Sequence, residues 1–390
     1  MRHWFLGFSL AATIFALDGA FAQNGTSTKP AAQAPSLDQT MADYRRKLKV
    51  YEAARAKFEA VAEPYWEQVE QKRKGRMAKR RNGQAIALSD YVLEQPPQYT
   101  GPSRPVDPSK PQEPPPEREP IPVVADFLGN AKDHFGFVPE RPDSEMAYKR
   151  AYVRAASAAG ISLDQAVRIY SFESGGNGKY DVQAGLEVSK PGARAISTAL
   201  GYNQLLTANT ISILAEKGDR LVKAMHAKAA AASGDRKRIL EAKTDVLRRM
   251  VAYSHTVPSR WSEHVKLGRT GKGLGLHALN LDIDIGPLLQ TQKLLDSIVF
   301  ARVKGVDRTL SAAELEMMNL TGDGNGFDMI SMPQAMRPQV PTSNFFQRRG
   351  YERNPVAIRN NTVEKLLSAT DAVMDRESKL QGAKDMAGLF

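Results

Sequence analysis

The chain has 390 residues, of which 42% are hydrophobic and 25% charged, and its formal net charge is +11. It contains no cysteine, which excludes a disulfide framework, a thiolate metal site and a cysteine nucleophile. The excess of basic residues predicts attraction to anionic polymers.

The first residues have the pattern of an export signal. Arg2 gives a basic start, an apolar run extends from Phe5 to Leu17, and Ala20-Phe21-Ala22 offers small residues for cleavage. We therefore predict a signal peptide over residues 1–22 and a periplasmic mature chain; an uncleaved N-terminal anchor is the alternative. In the periplasm we expect peptidoglycan or phospholipid surfaces, and not nucleic acid, as the anionic partner.

A long amphipathic helix is predicted within residues 23–94. Ser36 and Gln39 have the spacing of a capping box, and Pro64 should kink the helix. Apolar residues recur at spacings of three and four, as in a coiled-coil seam: Leu37, Met41, Tyr44, Leu48, Tyr51, Phe58, Ala62, Tyr65 and Val69. This seam, residues 37–69, can pack on the protein's own domain, on another envelope protein or on a second copy. The segment 71–81, which is rich in basic residues, then forms either a solvated helix end or a contact with wall or membrane anions.

The remaining segments differ in composition. Residues 95–123 are rich in proline, which favours polyproline II and predicts a semi-rigid linker. Residues 124–355 show helical periodicity, with one short strand candidate at Leu279–Gly286, and residues 356–390 contain a predicted C-terminal helix. The predicted fold class is mainly α, with a helical domain preceded by a long N-terminal helix and the Pro-rich linker.

One glutamate has the setting of a general acid. Ser162 and Gln165 form a second capping box, whose helix reaches Glu173 just before Gly175, a residue type that ends helices. An acid at a helix C-terminus opposes the helix dipole, and the apolar neighbours of Glu173 should desolvate it. Both effects favour the protonated form, which can donate a proton to a leaving oxygen.

The motifs around Glu173 resemble those of the soluble lytic transglycosylases, a lysozyme-like family that cleaves peptidoglycan. Glu173-Ser-Gly matches the family's Glu-Ser-Gly helix end, and the segment from Ser197 to Leu205 resembles its Gly-x-x-Gln-(Leu/Ile) motif. Met317-Met-Asn319 loosely matches its Tyr-Asn-x-Gly segment, with Met318 where the family has tyrosine. The resemblance covers residues 163–355 and implies a lysozyme-like domain over residues 124–355.

The resemblance implies a mechanism with a single acid/base, Glu173, and without metal or cofactor. Glu173 would protonate the glycosidic oxygen between N-acetylmuramic acid and N-acetylglucosamine, and then deprotonate the muramyl 6-hydroxyl to close a 1,6-anhydro ring. Substrate-binding roles are implied for Ser174, Tyr202, Asn203, Gln204, Asn319 and Tyr351.

Two alternatives stay open. A muramidase-type hydrolase needs a second carboxylate, and Asp181 and Glu187 are the nearest in sequence to Glu173. A non-catalytic wall-binding or scaffold protein would keep the groove without turnover, and the departures from the family motifs, such as Met318, are compatible with it.

The sequence shows no metal-binding pattern. The run from Asp323 to Asp328 lacks the glycine and the acid that an EF-hand requires at its sixth and twelfth positions, and we interpret it as a turn. The histidines lack zinc-site spacing. The glycine-rich stretch Gly271–Gly275 lacks a Walker arrangement and is interpreted as a flexible loop.

Overall fold

The structure, a computed structural model, describes residues 36–110, 120–186 and 192–390. The predicted signal peptide lies outside these residues. The described chain falls into two units, residues 36–110 and residues 120–390 without the gap at 187–191. Throughout the described residues the regular structure consists of 15 α-helices and short 3₁₀ turns, with no strand, so the prediction of a mainly α fold is confirmed. None of the described helices is both long and apolar enough to span a membrane.

The first unit is built on one long helix, α1 (Leu37–Arg81). The predicted capping box is present, because Ser36 Oγ accepts from the Gln39 amide and Gln39 Oε1 accepts from the Ser36 amide. Pro64 lies inside the helix, which continues for four more turns. The chain that follows packs back on α1, and the Tyr99 ring lies 5.4 Å edge-on from that of Phe58. Residues at the start of the predicted linker thus cover part of the seam.

Two basic side chains at the end of α1 form contacts within the same unit. Arg76 is 1% exposed, and its guanidinium lies 4.4 Å from the centre of the Tyr91 ring and donates to Asp90 O. Lys79 forms an ion pair of 2.7 Å with the Asp90 carboxylate. The interpretation of this segment as a solvated helix end is therefore wrong for Arg76, whose charge is covered by an aromatic ring and a carbonyl.

The second unit contains the other helices. Their bounds are α2 Val124–Phe135, α3 Glu145–Ala158, α4 Leu163–Ser174, α5 Thr207–Ala230, α6 Gly234–Ser254, α7 Trp261–Leu267, α8 Gly271–His277, α9 Gly286–Val303, α10 Ala312–Thr321, α11 Asp323–Ile330, α12 Arg348–Glu352, α13 Pro355–Arg359, α14 Val363–Glu377 and α15 Gln381–Ala387. Helix α9 is buried on most of its surface and is contacted by α3, α5, α10 and α11, so the core lies around it.

Three local predictions were wrong. The strand candidate Leu279–Gly286 forms a 3₁₀ turn at Ala278–Leu281 and then leads into α9. The chain bends here because the buried carboxylate of Asp282 accepts hydrogen bonds from the backbone amides of Asp284 and Ile285. The glycine-rich stretch is not a loop but the buried helix α8, and the Asp323 run opens α11 instead of forming a turn.

Helix α4 is held by α10, α14 and α15, which pack against it. The guanidinium of Arg168 bonds to Asp371 at 2.8 Å and to Asp375, and both acids lie on α14. Lys149 on α3 donates to the Gly382 carbonyl at the start of α15, at 2.8 Å. Helices α14 and α15 thus brace α4 and its neighbour α3.

Candidate functional site

Local interactions define both ends of α4. The predicted capping box is formed at its start, with the Gln165 amide donating to Ser162 Oγ at 3.2 Å and the Gln165 side chain accepting from the Ser162 amide. The helix ends at Gly175, whose φ of +66° is left-handed and suits glycine. Glu173 therefore lies in the last turn, as the sequence predicted.

The buried face of α4 positions this last turn. Ala166, Ile169 and Tyr170 are fully or almost fully buried, and the Tyr170 ring packs edge-on against that of Tyr202 at 4.7 Å. The Tyr170 hydroxyl donates to the Gly178 carbonyl at 2.8 Å, which ties the glycine-rich turn back to the helix. The carboxyl of Glu173 consequently extends from a rigid element.

Glu173 meets two polar side chains from α10. Asn319 Nδ2 donates to Glu173 Oε1 at 2.9 Å. Glu316, one helical turn before Asn319, lies in hydrogen-bonding contact with the Glu173 carboxyl. Burial raises the pKa of Glu173 from 4.5 to about 7, although the hydrogen bonds from Glu316 and Asn319 act in the opposite direction.

Glu316 is the more deeply buried of the two acids. It is 3% exposed, and its Oε2 atom is buried without a hydrogen-bond partner. Burial raises the pKa of Glu316 well above its usual range, and the neighbouring Glu173 raises it further. Two carboxyl groups this close in a dry setting cannot both ionise near neutral pH.

The remaining residues predicted for the site divide into two groups. Ser174 Oγ donates to the Tyr170 carbonyl at 2.7 Å and closes the last turn of α4. Gln204 lies in the turn before α5, which begins at Thr207, and has a φ of +43°. Its side-chain amide donates to the carbonyls of Gly201 and Val182. These two residues shape the turns next to the site.

The second group lies in the core. Tyr202 is fully buried and its hydroxyl donates to Glu145, while Asn203 Nδ2 donates to the Gln290 carbonyl at 2.6 Å. Tyr351 on α12 is 4% exposed and packs against Phe346. Of the residues predicted for substrate binding, the structure brings Asn319 into a hydrogen bond with Glu173.

Of the two predicted candidates for a second carboxylate, only Asp181 is among the described residues. Asp181 forms an ion pair of 2.6 Å with Arg141, and Glu187 is outside the described residues. The acid that does meet Glu173 is Glu316, which the sequence reasoning missed. One signal was present: Glu316 interrupts a run of apolar residues on α10 and precedes Asn319 by one turn.

Comparison with protein-family models, curated proteins and solved structures finds no match. A carboxyl group with a pKa near 7, held by an amide donor and a second carboxyl, can give up a proton and take one back at neutral pH. In the part of the chain that the structure describes, no group of three His, Asp or Glu side chains is arranged to hold a metal ion.

Proposed function

We propose that this protein cleaves the β-1,4 bonds between N-acetylmuramic acid and N-acetylglucosamine in peptidoglycan, as a lytic transglycosylase. The observation that carries the proposal is the half-buried Glu173 at the end of α4, with a pKa of about 7. The motif resemblance, the export signal and the net charge of +11 agree with an exported protein that binds an anionic wall polymer.

The reaction needs one group that acts first as acid and then as base. Glu173 donates its proton to the glycosidic oxygen, and the bond from this oxygen to C1 of the muramyl residue breaks. The Glu173 carboxylate next removes the proton of the muramyl C6 hydroxyl, whose oxygen bonds to C1. The products are a free 4-hydroxyl and a 1,6-anhydro ring, no water is consumed, and Glu173 is protonated again.

The arrangement of the acids favours ring closure over hydrolysis. Retaining hydrolases separate their two carboxyls by about 5–5.5 Å and inverting ones by about 6.5–9.5 Å, which leaves room for a sugar carbon or a water. Glu316 instead contacts Glu173 directly and is 3% exposed, so it is badly placed to reach either.

The proposal is tested by replacing the acid. We expect wild-type protein to release 1,6-anhydro muropeptides from purified sacculi, and Glu173→Gln to release none above background, because Gln cannot donate a proton. The matched control is Glu241→Gln, the same change of charge on the exposed surface of α6, which should retain wild-type activity. The masses of the released muropeptides show whether they carry the 1,6-anhydro ring.

Other products would contradict the proposal. Reducing-end muropeptides without the anhydro ring would identify a hydrolase. Equal binding of wild type and Glu173→Gln to sacculi without release of fragments would identify a wall-binding scaffold.

A further inference from the structure

We propose that Glu316 is the positioning residue of this site: it stays protonated and donates a hydrogen bond to Glu173, thereby stabilising the carboxylate that Glu173 becomes after giving up its proton. This inference rests on the proposed function for its catalytic meaning. The protonation state of Glu316 is a separate physical claim that can be measured in the absence of any substrate.

The geometry points to Glu316 as a donor. Two side chains of α10 converge on Glu173 from successive turns, and one of them, Asn319, is a neutral donor to Oε1. A glutamate in the other position contributes a comparable interaction only in its protonated form, because an ionised carboxylate accepts hydrogen bonds and donates none. Its buried Oε2, which has no hydrogen-bond partner, is not the environment of a carboxylate, whose oxygens need donors.

In the part of the chain that the structure describes, Glu316 forms no ion pair, and of its two polar neighbours Asn319 lowers its pKa while Glu173 raises it. Glu173 faces it from α4, and the cation that lowers its pKa is Lys293 on α9. Lys293 lies 3.5 Å from Asp323 at the start of α11, which also accepts from Ser297 Oγ at 2.8 Å, so its charge is shared with another acid. On the side of α14 the buried residues are uncharged: Val363, Leu366, Leu367, Thr370 and Met374.

The second acid of α10, Glu314, is a buried glutamate that has the partners an ionised carboxylate needs. Glu314 is also almost fully buried, at 5% exposure, but it accepts from Arg308 at 2.6 Å and from Arg337 at 3.1 Å. These partners lower the pKa of Glu314, whereas that of Glu316 is raised. Two buried acids on one helix are thus held in opposite states by their partners.

A neutral donor at this position has a chemical use. Burial raises the free energy of Glu173 in its ionised form. This form exists directly after Glu173 has given its proton to the glycosidic oxygen. A hydrogen bond from Glu316 and one from Asn319 stabilise that carboxylate without adding charge. The buried acid of an oxyanion hole, kept protonated by an apolar site, acts by the same principle.

The protonation state is tested first, by infrared difference spectroscopy of the full chain as pH is raised. At about pH 9, above the pKa of Glu173, wild type should keep one neutral carboxyl band in a position shifted by hydrogen bonding. The band should be absent from Glu316→Gln and present in the surface control Glu241→Gln. Its absence from wild type, or its survival in Glu316→Gln, overturns the inference whatever the protein does to glycan.

The catalytic consequence is tested with two replacements of similar size. Glu316→Gln keeps an N–H donor, and we expect activity within a few-fold of wild type and an unchanged pH profile. Glu316→Met removes the donor and should lower the rate by roughly 10²-fold, the order of magnitude seen when one donor to a developing anion is lost. It should also move the loss of activity to higher pH, because the pKa of Glu173 rises when a donor to its carboxylate is removed.

The outcomes separate the two claims. If Glu316→Gln moves the pH profile downward, Glu316 is ionised in wild type and the inference is wrong. If Glu316→Met keeps the wild-type rate and profile, Glu316 has no role beyond packing. If wild type shows the neutral band but cleaves no glycan, the proposed function fails and the assignment of the proton to Glu316 stands.

Discussion

At the scale of single residues, desolvation determines the protonation state of Glu173. A carboxylate taken out of water must find donors or a cation, and Glu173 finds one amide and one carboxyl. The result is an acid that is protonated near neutral pH and is still able to ionise. A fully exposed glutamate could not donate a proton efficiently at pH 7, and an acid as deeply buried as Glu316 would not release one.

This balance predicts how stability depends on pH. The pKa of Glu173 is about 7 in the folded protein against an ordinary value of 4.5, so the folded state holds the proton more tightly and ionisation destabilises it as pH rises through this window. Glu173→Gln should therefore match wild type near pH 4 and exceed its unfolding free energy at about pH 8 by on the order of 2 kcal/mol. Urea unfolding at both pH values measures the difference. If the unfolding free energies of Glu173→Gln and wild type differ by the same amount at both pH values, ionisation of Glu173 does not affect stability.

At the scale of elements, the glycine-rich turn after α4 is shaped by its contact with α14. Gly175 and Gly176 both have φ near +65°, but their surroundings differ. A Cβ on Gly175 would meet open space, whereas one on Gly176 would overlap the carbonyl oxygen of Glu377 at the end of α14. The second glycine is therefore required by packing as well as by backbone conformation.

The pair offers a matched comparison. Gly175→Ala should cost about 1 kcal/mol of stability, the strain of a left-handed alanine. Gly176→Ala should cost about 3 kcal/mol or more, because the same strain is joined by overlap with backbone that cannot move aside. Thermal or urea unfolding of the two variants measures both losses. Equal losses would show that the turn and α14 are not packed as described.

At the scale of the whole molecule, long-range ion pairs join distant parts of the second unit. Lys243 on α6 is almost buried and bonds to Asp282 at 3.0 Å, to Asp284 at 2.7 Å and to Glu140 at 2.6 Å. Burial raises the pKa of Asp282, while Lys243 lowers it. One cation thus connects α6, the segment after α2 and the loop before α9.

Removing this cation should be far more damaging than removing an exposed one. Lys243→Met leaves Asp282 buried without its partner, and we expect a loss of about 3–5 kcal/mol at pH 7. The loss should shrink at acid pH, because the pKa of Asp282 rises further without Lys243 and the acid becomes neutral. Lys237→Met, on the exposed side of the same helix, is the control and should change stability by less than about 0.5 kcal/mol. A similar loss in both variants would contradict the buried network.

Much of the local structure could be predicted from sequence because it depends on residues close together in the chain. The capping boxes of α1 and α4 join residues three positions apart, and the end of α4 is set by Gly175. The errors came where distant contacts dominate: alternating apolar residues suggested a strand at Leu279–Gly286, but the buried carboxylate of Asp282 turned the chain.

The sequence by itself determined that the chain is mainly helical and that Glu173 lies at the end of a helix, since periodicity, capping and glycine act over a few residues. The tertiary structure alone decided what Glu173 touches. Asn319 lies 146 positions further along the chain and Glu316 one turn before it, and no short-range pattern encodes which of the many acids meets another. The packing of α10 on α4 brings the two carboxyls together, and burial then decides which of them keeps its proton.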